Sequence, residues 1–215
     1  MESPLYQGAD APLLTSPGLI LIETMRWDGA GVPLAALHRA RLARGAAALG
    51  WRFEAAMFDK LLVGPADPAR LRLTLDGGGR MSATASPLPE SPPVWRLGLA
   101  SERLRSDDPW LRLKSSRRPA YDAARAALPP GLDEVIFLNE RGEVCDGSIT
   151  TVFFDRGQGT RTPPLVAGLL PGVLRASLAV PEETLLPQDL PQVRLWVGNA
   201  LRGLIPAVWT GQTAA

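Results

Sequence analysis

The chain is poor in the residues on which much enzyme chemistry depends. One residue of 215 is a cysteine, Cys145, and one is a histidine, His38. A lone cysteine excludes an internal disulfide. A lone histidine excludes a multi-histidine metal site and leaves any histidine-based triad resting on one ring. Lysine is nearly as scarce: Lys60 and Lys114 stand in a chain whose other cations are arginine. Long apolar runs are missing too. None reaches the roughly 18 to 20 residues that cross a bilayer, and no N-terminal run joins a cationic start to an apolar stretch. The expected compartment is therefore the cytoplasm, with no membrane partner. A net charge of +1 gives no broad basic field, and no zinc-finger or RNP-type sequence occurs, so nucleic acid is not an expected partner.

What remains is ordinary globular material, 46% apolar and 21% charged. The length exceeds that of a usual single domain and predicts two lobes, a small N-terminal α+β lobe over 1–90 and a larger β-rich lobe over 91–215. Residues 18–27 read as a strand, followed by a Gly-containing turn at 28–31 and a helix over 34–49 with Gly50 at its C-cap. A short helix is expected over 54–62. The alternation Arg70-Leu-Arg-Leu-Thr-Leu, the turn Asp76-Gly-Gly-Gly and the run 81–86 predict a hairpin. Four prolines within 87–93 suit a connection near the lobe boundary. Beyond it the sequence predicts a strand at 94–100, a helix at 120–128, a buried strand at 134–138 and a turn at 139–142. One strand over 143–154, a helix at 172–178 and strands at 193–197 and 204–209 complete the reading.

Lys114 lies between an apolar approach, Trp110-Leu-Arg-Leu, and small polar residues. A partly desolvated amine in such a setting loses proton affinity and can form a Schiff base. Alone, the segment reads more readily as a strand-edge lysine snorkelling to solvent. About thirty positions downstream, Asp146 stands beside Gly147 after a predicted hairpin turn. A buried carboxylate there could hold a proton on a cofactor's ring nitrogen, although Asp-Gly-Ser is also an ordinary turn signal. At 169–175 the run Leu-Leu-Pro-Gly-Val-Leu-Arg opens a helix whose first amides, at Gly172, Val173 and Leu174, suit a phosphate; proline at a helix start equally has a purely structural reason. Arg41 could add a charge-assisted contact, or be a solvated arginine on a surface helix.

Taken together and in order, these segments resemble the class-IV aminotransferase family, also called PLP fold type IV, over nearly the whole chain. Ile22-Glu-Thr-Met-Arg is similar to the strand before the family's first helix, and Leu37-His-Arg-Ala-Arg-Leu to its histidine and phosphate-arginine helix. The resemblance implies a two-lobed α+β fold like that of D-amino-acid aminotransferase, and pyridoxal 5′-phosphate (PLP) as cofactor. By the same match Lys114 is the Schiff-base lysine, Asp146 the ring-nitrogen acid, and Arg41, Gly172, Val173 and Leu174 phosphate ligands. Asn199 and Ala200, in Asn199-Ala-Leu-Arg-Gly, resemble the last phosphate-side loop, and Thr24 takes a hydroxyl position that assists substrate or proton transfer.

Residues 114–122 and 199–207 look most like the 4-amino-4-deoxychorismate lyase branch, which forms 4-aminobenzoate and pyruvate for folate synthesis. The alternatives are a class-IV aminotransferase acting on branched-chain or D-amino acids, and a weakened relative that keeps only the fold. Four departures from the family's pattern stand out, the first three bearing on the last alternative and the fourth on substrate contacts. Asp146 replaces a usual Glu, Thr151 a frequent Asn, Leu174 a frequent hydroxyl residue, and the glycine-rich stretch before the first strand is reduced to Ser16-Pro-Gly. A small-molecule amine substrate and a homodimer with PLP between its lobes are further implications of the resemblance.

Overall fold

The computed structural model describes residues 18–214, which divide into two compact units. Ser16 and Pro17 lie outside the described residues. The first unit runs to Glu90 and also takes in Leu113–Arg117; the second holds Ser91–Arg112 and everything from Arg118 onward. Lys114, on sequence part of the stretch 91–215, thus groups with the first unit.

In the first unit, β1 (Ile20–Trp27), β2 (Ala69–Asp76) and β3 (Met81–Pro87) form an antiparallel sheet in sequence order, beside helices α1 (Ala35–Leu49) and α2 (Ala55–Lys60). The alternation of β2 sets its faces. Ala69, Leu71, Leu73 and Leu75 are buried while Arg70 and Arg72 face water, as a period of two requires. The β2–β3 turn is tied by Asp76, whose Oδ1 accepts from the amides of Gly78 and Arg80. Helix α1 stops at Gly50, whose φ of 68° lies in the left-handed region where a side chain is strained. Leu42, Ala46 and Leu49 of α1 are buried, as are Leu21 and Met25 of β1. The segment 113–117 lies along β1, with the Ile22 amide donating to the Lys114 carbonyl (2.8 Å) and the Ser116 amide to that of Ile20 (2.9 Å).

The second unit is a six-stranded sheet in the order β6-β5-β4-β9-β8-β7, from β4 (Trp95–Leu104), β5 (Glu134–Asn139), β6 (Val144–Gly147), β7 (Thr151–Asp155), β8 (Arg194–Asn199) and β9 (Gly203–Thr213). Strand β4 runs parallel to β5 and β9, and the other pairs are antiparallel. Helices α3 (Pro119–Ala126) and α4 (Val173–Leu178) belong to this unit. Strands β5 and β7 are buried at every position, so their near-continuous apolar runs carry no alternation.

The single strand expected over 143–154 is two strands. Residues 148–150 interrupt it, and its halves become the outermost strands of the sheet. From Gly147 to Thr151 the backbone spans at most about 14 Å. Six strands laid flat at about 4.8 Å spacing would put the outermost pair about 24 Å apart. The sheet therefore curls until β6 and β7 face each other across a seam, where they touch without pairing.

Among the described residues no helix is long and apolar enough to cross a membrane. Replacing Leu73, fully buried at the centre of the first sheet, by Ala should cost about 2–5 kcal/mol in denaturant unfolding. Arg72→Ala, one position along on the solvent face, should stay within about 0.5 kcal/mol of the parent.

Candidate cofactor site

In the first unit the residues sort by the faces of β1. Glu23 points toward α1, where its Oε2 meets His38 Nδ1 (2.6 Å) and its carboxylate takes both Nε (2.8 Å) and Nη2 (2.5 Å) of Arg41. All three side chains are buried. Arg41 is thus no solvated surface residue; two of its nitrogens are committed to Glu23, and any phosphate contact falls to Nη1. Burial alone would raise the Glu23 pKa. The charge of Arg41 and the hydrogen bonds from His38 and Arg41 outweigh it and hold the carboxyl below 4.5.

Thr24 follows Glu23 and so faces the other way, with Ile22. The bridge between Leu21 and Ser115 sets the register of the 113–117 segment. Leu21 and Leu113 both approach Gly45 of α1, which places them on the helix face. Alternation then directs Lys114 to the opposite face, the one shared by Ile22 and Thr24. Lys114 and Thr24 are brought to one side of β1, and Arg41 is held on the other.

In the second unit the seam gathers the remaining candidates. Asp146, at the end of β6, is 4% exposed; its Oδ1 accepts from the Gly147 amide (3.2 Å) and its Oδ2 from the Leu170 amide (3.1 Å). The second bond ties the acid to the segment leading into α4. Gly172 caps that helix so close to β7 that an added Cβ would lie 2.7 Å from Thr151 Oγ1. Leu174 packs on Gly198, where an added Cβ would meet Leu174 Cδ2 at 2.7 Å and the Gly203 carbonyl at 2.5 Å. Asn199 spends its side chain internally: Oδ1 accepts from the Leu201 and Arg202 amides and Nδ2 donates to the Ile149 carbonyl (3.1 Å). That leaves the backbone at Ala200, not the Asn199 amide group, to face a ligand. Asp146, Gly172, Val173, Leu174, Asn199 and Ala200 thus come together from three separate stretches of sequence.

Three residues at this seam were not singled out from sequence. Tyr121 of α3 has a buried hydroxyl with no hydrogen-bond partner among the described residues, and burial together with the charge of Asp146 pushes its pKa up. Glu134, fully buried at the start of β5, accepts from the Ser148 and Ile149 amides and from both the Ser148 and Thr150 hydroxyls. Arg118 donates to the Ser148 carbonyl (2.6 Å). For Glu134 the signal was present: a carboxylate at the head of the apolar run Val135-Ile-Phe-Leu must find several donors to be buried there. Cys145, beside Asp146, is sealed in the core and donates to the Phe137 carbonyl; burial raises its thiol pKa well above the ordinary range.

Glu23→Gln leaves the buried Arg41 without its counter-charge and should destabilise the protein by about 3–5 kcal/mol at neutral pH. The Glu23 pKa is depressed on folding, so the stability it gives is present above 4.5 and is lost as pH falls below that value. Denaturant unfolding from pH 7 to pH 3 should show the gap between parent and variant narrowing only below 4.5.

The family model "Amino-transferase class IV" matches residues 20–208. A Mesorhizobium loti structure provisionally described as an amino-acid aminotransferase is 43% identical, over 89% of this chain and 100% of that one, with a TM-score of 0.83. The 4-amino-4-deoxychorismate lyase of Pseudomonas aeruginosa is 22% identical over 90% of this chain and 84% of its own, TM-score 0.73. A hypothetical aminotransferase from Mycobacterium tuberculosis, with α-ketoglutarate and PMP bound, is 21% identical over 98% and 88%, TM-score 0.79. At those identities the last two speak for the fold alone. No match was found among curated protein sequences. The extent of the family match and the 43%-identical relative lead to one conclusion: the chain belongs to the class-IV aminotransferases, a family of PLP-dependent enzymes.

Proposed function

We propose that the chain is a PLP-dependent 4-amino-4-deoxychorismate lyase, releasing pyruvate and forming 4-aminobenzoate for folate synthesis. The observation that carries this reading is the turn at 199–203, in the segment most like the lyase branch. Asn199 ties it to the Ile149 carbonyl, within the turn that follows Asp146. The donor set also suits the cofactor. Asp146 is a buried carboxylate, the buried Tyr121 hydroxyl has no hydrogen-bond partner among the described residues, and the close approach of Gly172 to Thr151 and of Gly198 to Leu174 holds the start of α4 against β7 and β8.

In this reading Lys114 is the residue that would hold the cofactor covalently, and its free amine would take the proton from the amine-bearing carbon of the substrate. Bound PLP supplies an electron sink for the resulting carbanion. Asp146 keeps the ring nitrogen protonated by charge pairing. The first-turn amides of Val173 and Leu174, which have no acceptor within a helix, receive the phosphate with Gly172, the 199–200 backbone and Arg41 Nη1. Thr24, on the Lys114 side of β1, orients substrate. Loss of the enolpyruvyl group is drawn forward by formation of an aromatic ring. A two-lobed assembly of PLP fold type IV, a homodimer and a cytoplasmic setting belong to the same proposal.

A second reading, a class-IV aminotransferase acting on branched-chain or D-amino acids, draws support from the 43%-identical relative from Mesorhizobium loti, described as an amino-acid aminotransferase. Both share the early proton transfer at Lys114. Purified protein given PLP should show a visible absorption band that Lys114→Ala abolishes. A parent protein that stays colourless with added PLP would refute the cofactor assignment. Coupled assay of pyruvate from aminodeoxychorismate should give turnover without a keto-acid acceptor. Amino transfer to 2-oxoglutarate with no pruning of the enolpyruvyl group would give the place to the second reading.

A further inference from the structure

Strands β6 and β7 end and begin within four residues of each other, yet no ladder hydrogen bonds join them. Something else must fix the turn between them, because Asp146 stands just before it, Thr151 just after it, and Asn199 hangs on its Ile149 carbonyl. The Gly147 amide closes the turn on the Thr150 carbonyl (2.8 Å) and the Ser148 amide also meets the Val135 carbonyl (3.1 Å), but two amides and both hydroxyls of the turn converge on one carboxylate. Glu134 Oε1 accepts from the Ser148 amide (3.1 Å) and the Ser148 hydroxyl, and Oε2 from the Ile149 amide (3.1 Å) and the Thr150 hydroxyl (2.8 Å). The Val135 amide adds a third contact to Oε1 (3.0 Å), while the nearest cation, Arg125, stands off at 3.8 Å. The carboxylate is 0% exposed. Gly147 completes the fit: a Cβ there would lie 2.8 Å from the Thr150 carbonyl oxygen and 3.1 Å from Glu134 Oε2.

We propose that Glu134 is the positioning residue of the site, holding the 147–150 turn as a template and, through it, Asp146 and Asn199 in register for the cofactor. The inference rests on the PLP reading above. A buried carboxylate satisfied almost wholly by neutral donors of one short turn fixes that turn more tightly than packing alone, since each donor left unpaired in the core is costly. Glutamine at 134 keeps the size but brings its own N–H group against donors, so at least one of Ser148, Ile149 and Thr150 loses its acceptor whichever way the amide lies.

The test compares the parent with Glu134→Gln, Thr150→Val, Asp146→Asn and a stability control, Leu190→Ala, in the core at 1% exposure and outside the turn. Two quantities are read: amide hydrogen exchange of 147–151 without PLP, and the Kd and visible spectrum of PLP, each well below the melting temperature. Glu134→Gln should lose protection in 147–151 while β8 and β9 keep theirs. It should also raise the PLP Kd at least tenfold and shift the band in the direction that Asp146→Asn shifts it. Thr150→Val, which removes one donor and no charge, should do the same to a smaller extent and covers the case of a Glu134 variant that does not fold. Leu190→Ala should lower the melting temperature and leave Kd and band unmoved. The proposal is overturned if the foldable turn variants lose stability with parental Kd and spectrum, or if protection of 147–151 is unchanged. Failure of the parent itself to take up PLP strikes the cofactor reading instead, and is seen before any variant is compared.

Discussion

The second unit depends on how its curled sheet is closed. Ladder hydrogen bonds run unbroken from β6 through β5, β4, β9 and β8 to β7, and then stop. At that gap the Ile149 amide and the Ser148 and Thr150 hydroxyls would face a dry interior without a strand partner, which is costly. Glu134 supplies acceptors for them from inside the sheet, and the gap becomes a place where side chains and helix-end amides converge without being consumed by strand pairing. A fully paired barrel would offer no such opening.

The first unit solves a related problem with charge. Glu23 is as deeply buried as any leucine around it, and the desolvation that would neutralise it is answered by Arg41 and His38 on the adjoining helix turns. The chain's one histidine is part of this cluster through its Nδ1 contact with Glu23. The helix face of β1 is thereby filled with structural interactions, and Lys114 and Thr24 are left to the other face.

Much of this was legible in the residues. Period-two alternation located β2 and its solvent face, Gly50 marked the end of α1, and Asp76-Gly-Gly-Gly marked its hairpin. What sequence alone did not disclose was long-range. The run 143–154 reads as one strand because Val144-Cys and Thr151-Val-Phe-Phe are both apolar and β-prone. The break between them comes from a carboxylate ten or more positions earlier, which no local window contains. For the same reason the motif at 199–203 does not disclose that the Asn199 side chain is taken by its own turn and by the Ile149 carbonyl. Motif singles out Asp146 and the α4 start as candidates, but the Asp146–Leu170 bond that joins them lies beyond any spacing rule.

The buried state of Cys145 has a practical corollary. The chain carries no other thiol, and this one is shielded by the core and disfavoured as a thiolate, so maleimides and other sulfhydryl reagents have nothing to attack in the native protein. A cysteine introduced at any exposed position would be uniquely addressable. Fluorophore or spin-label pairs could then be installed without first stripping a background, and distances could be followed in solution as ligands bind.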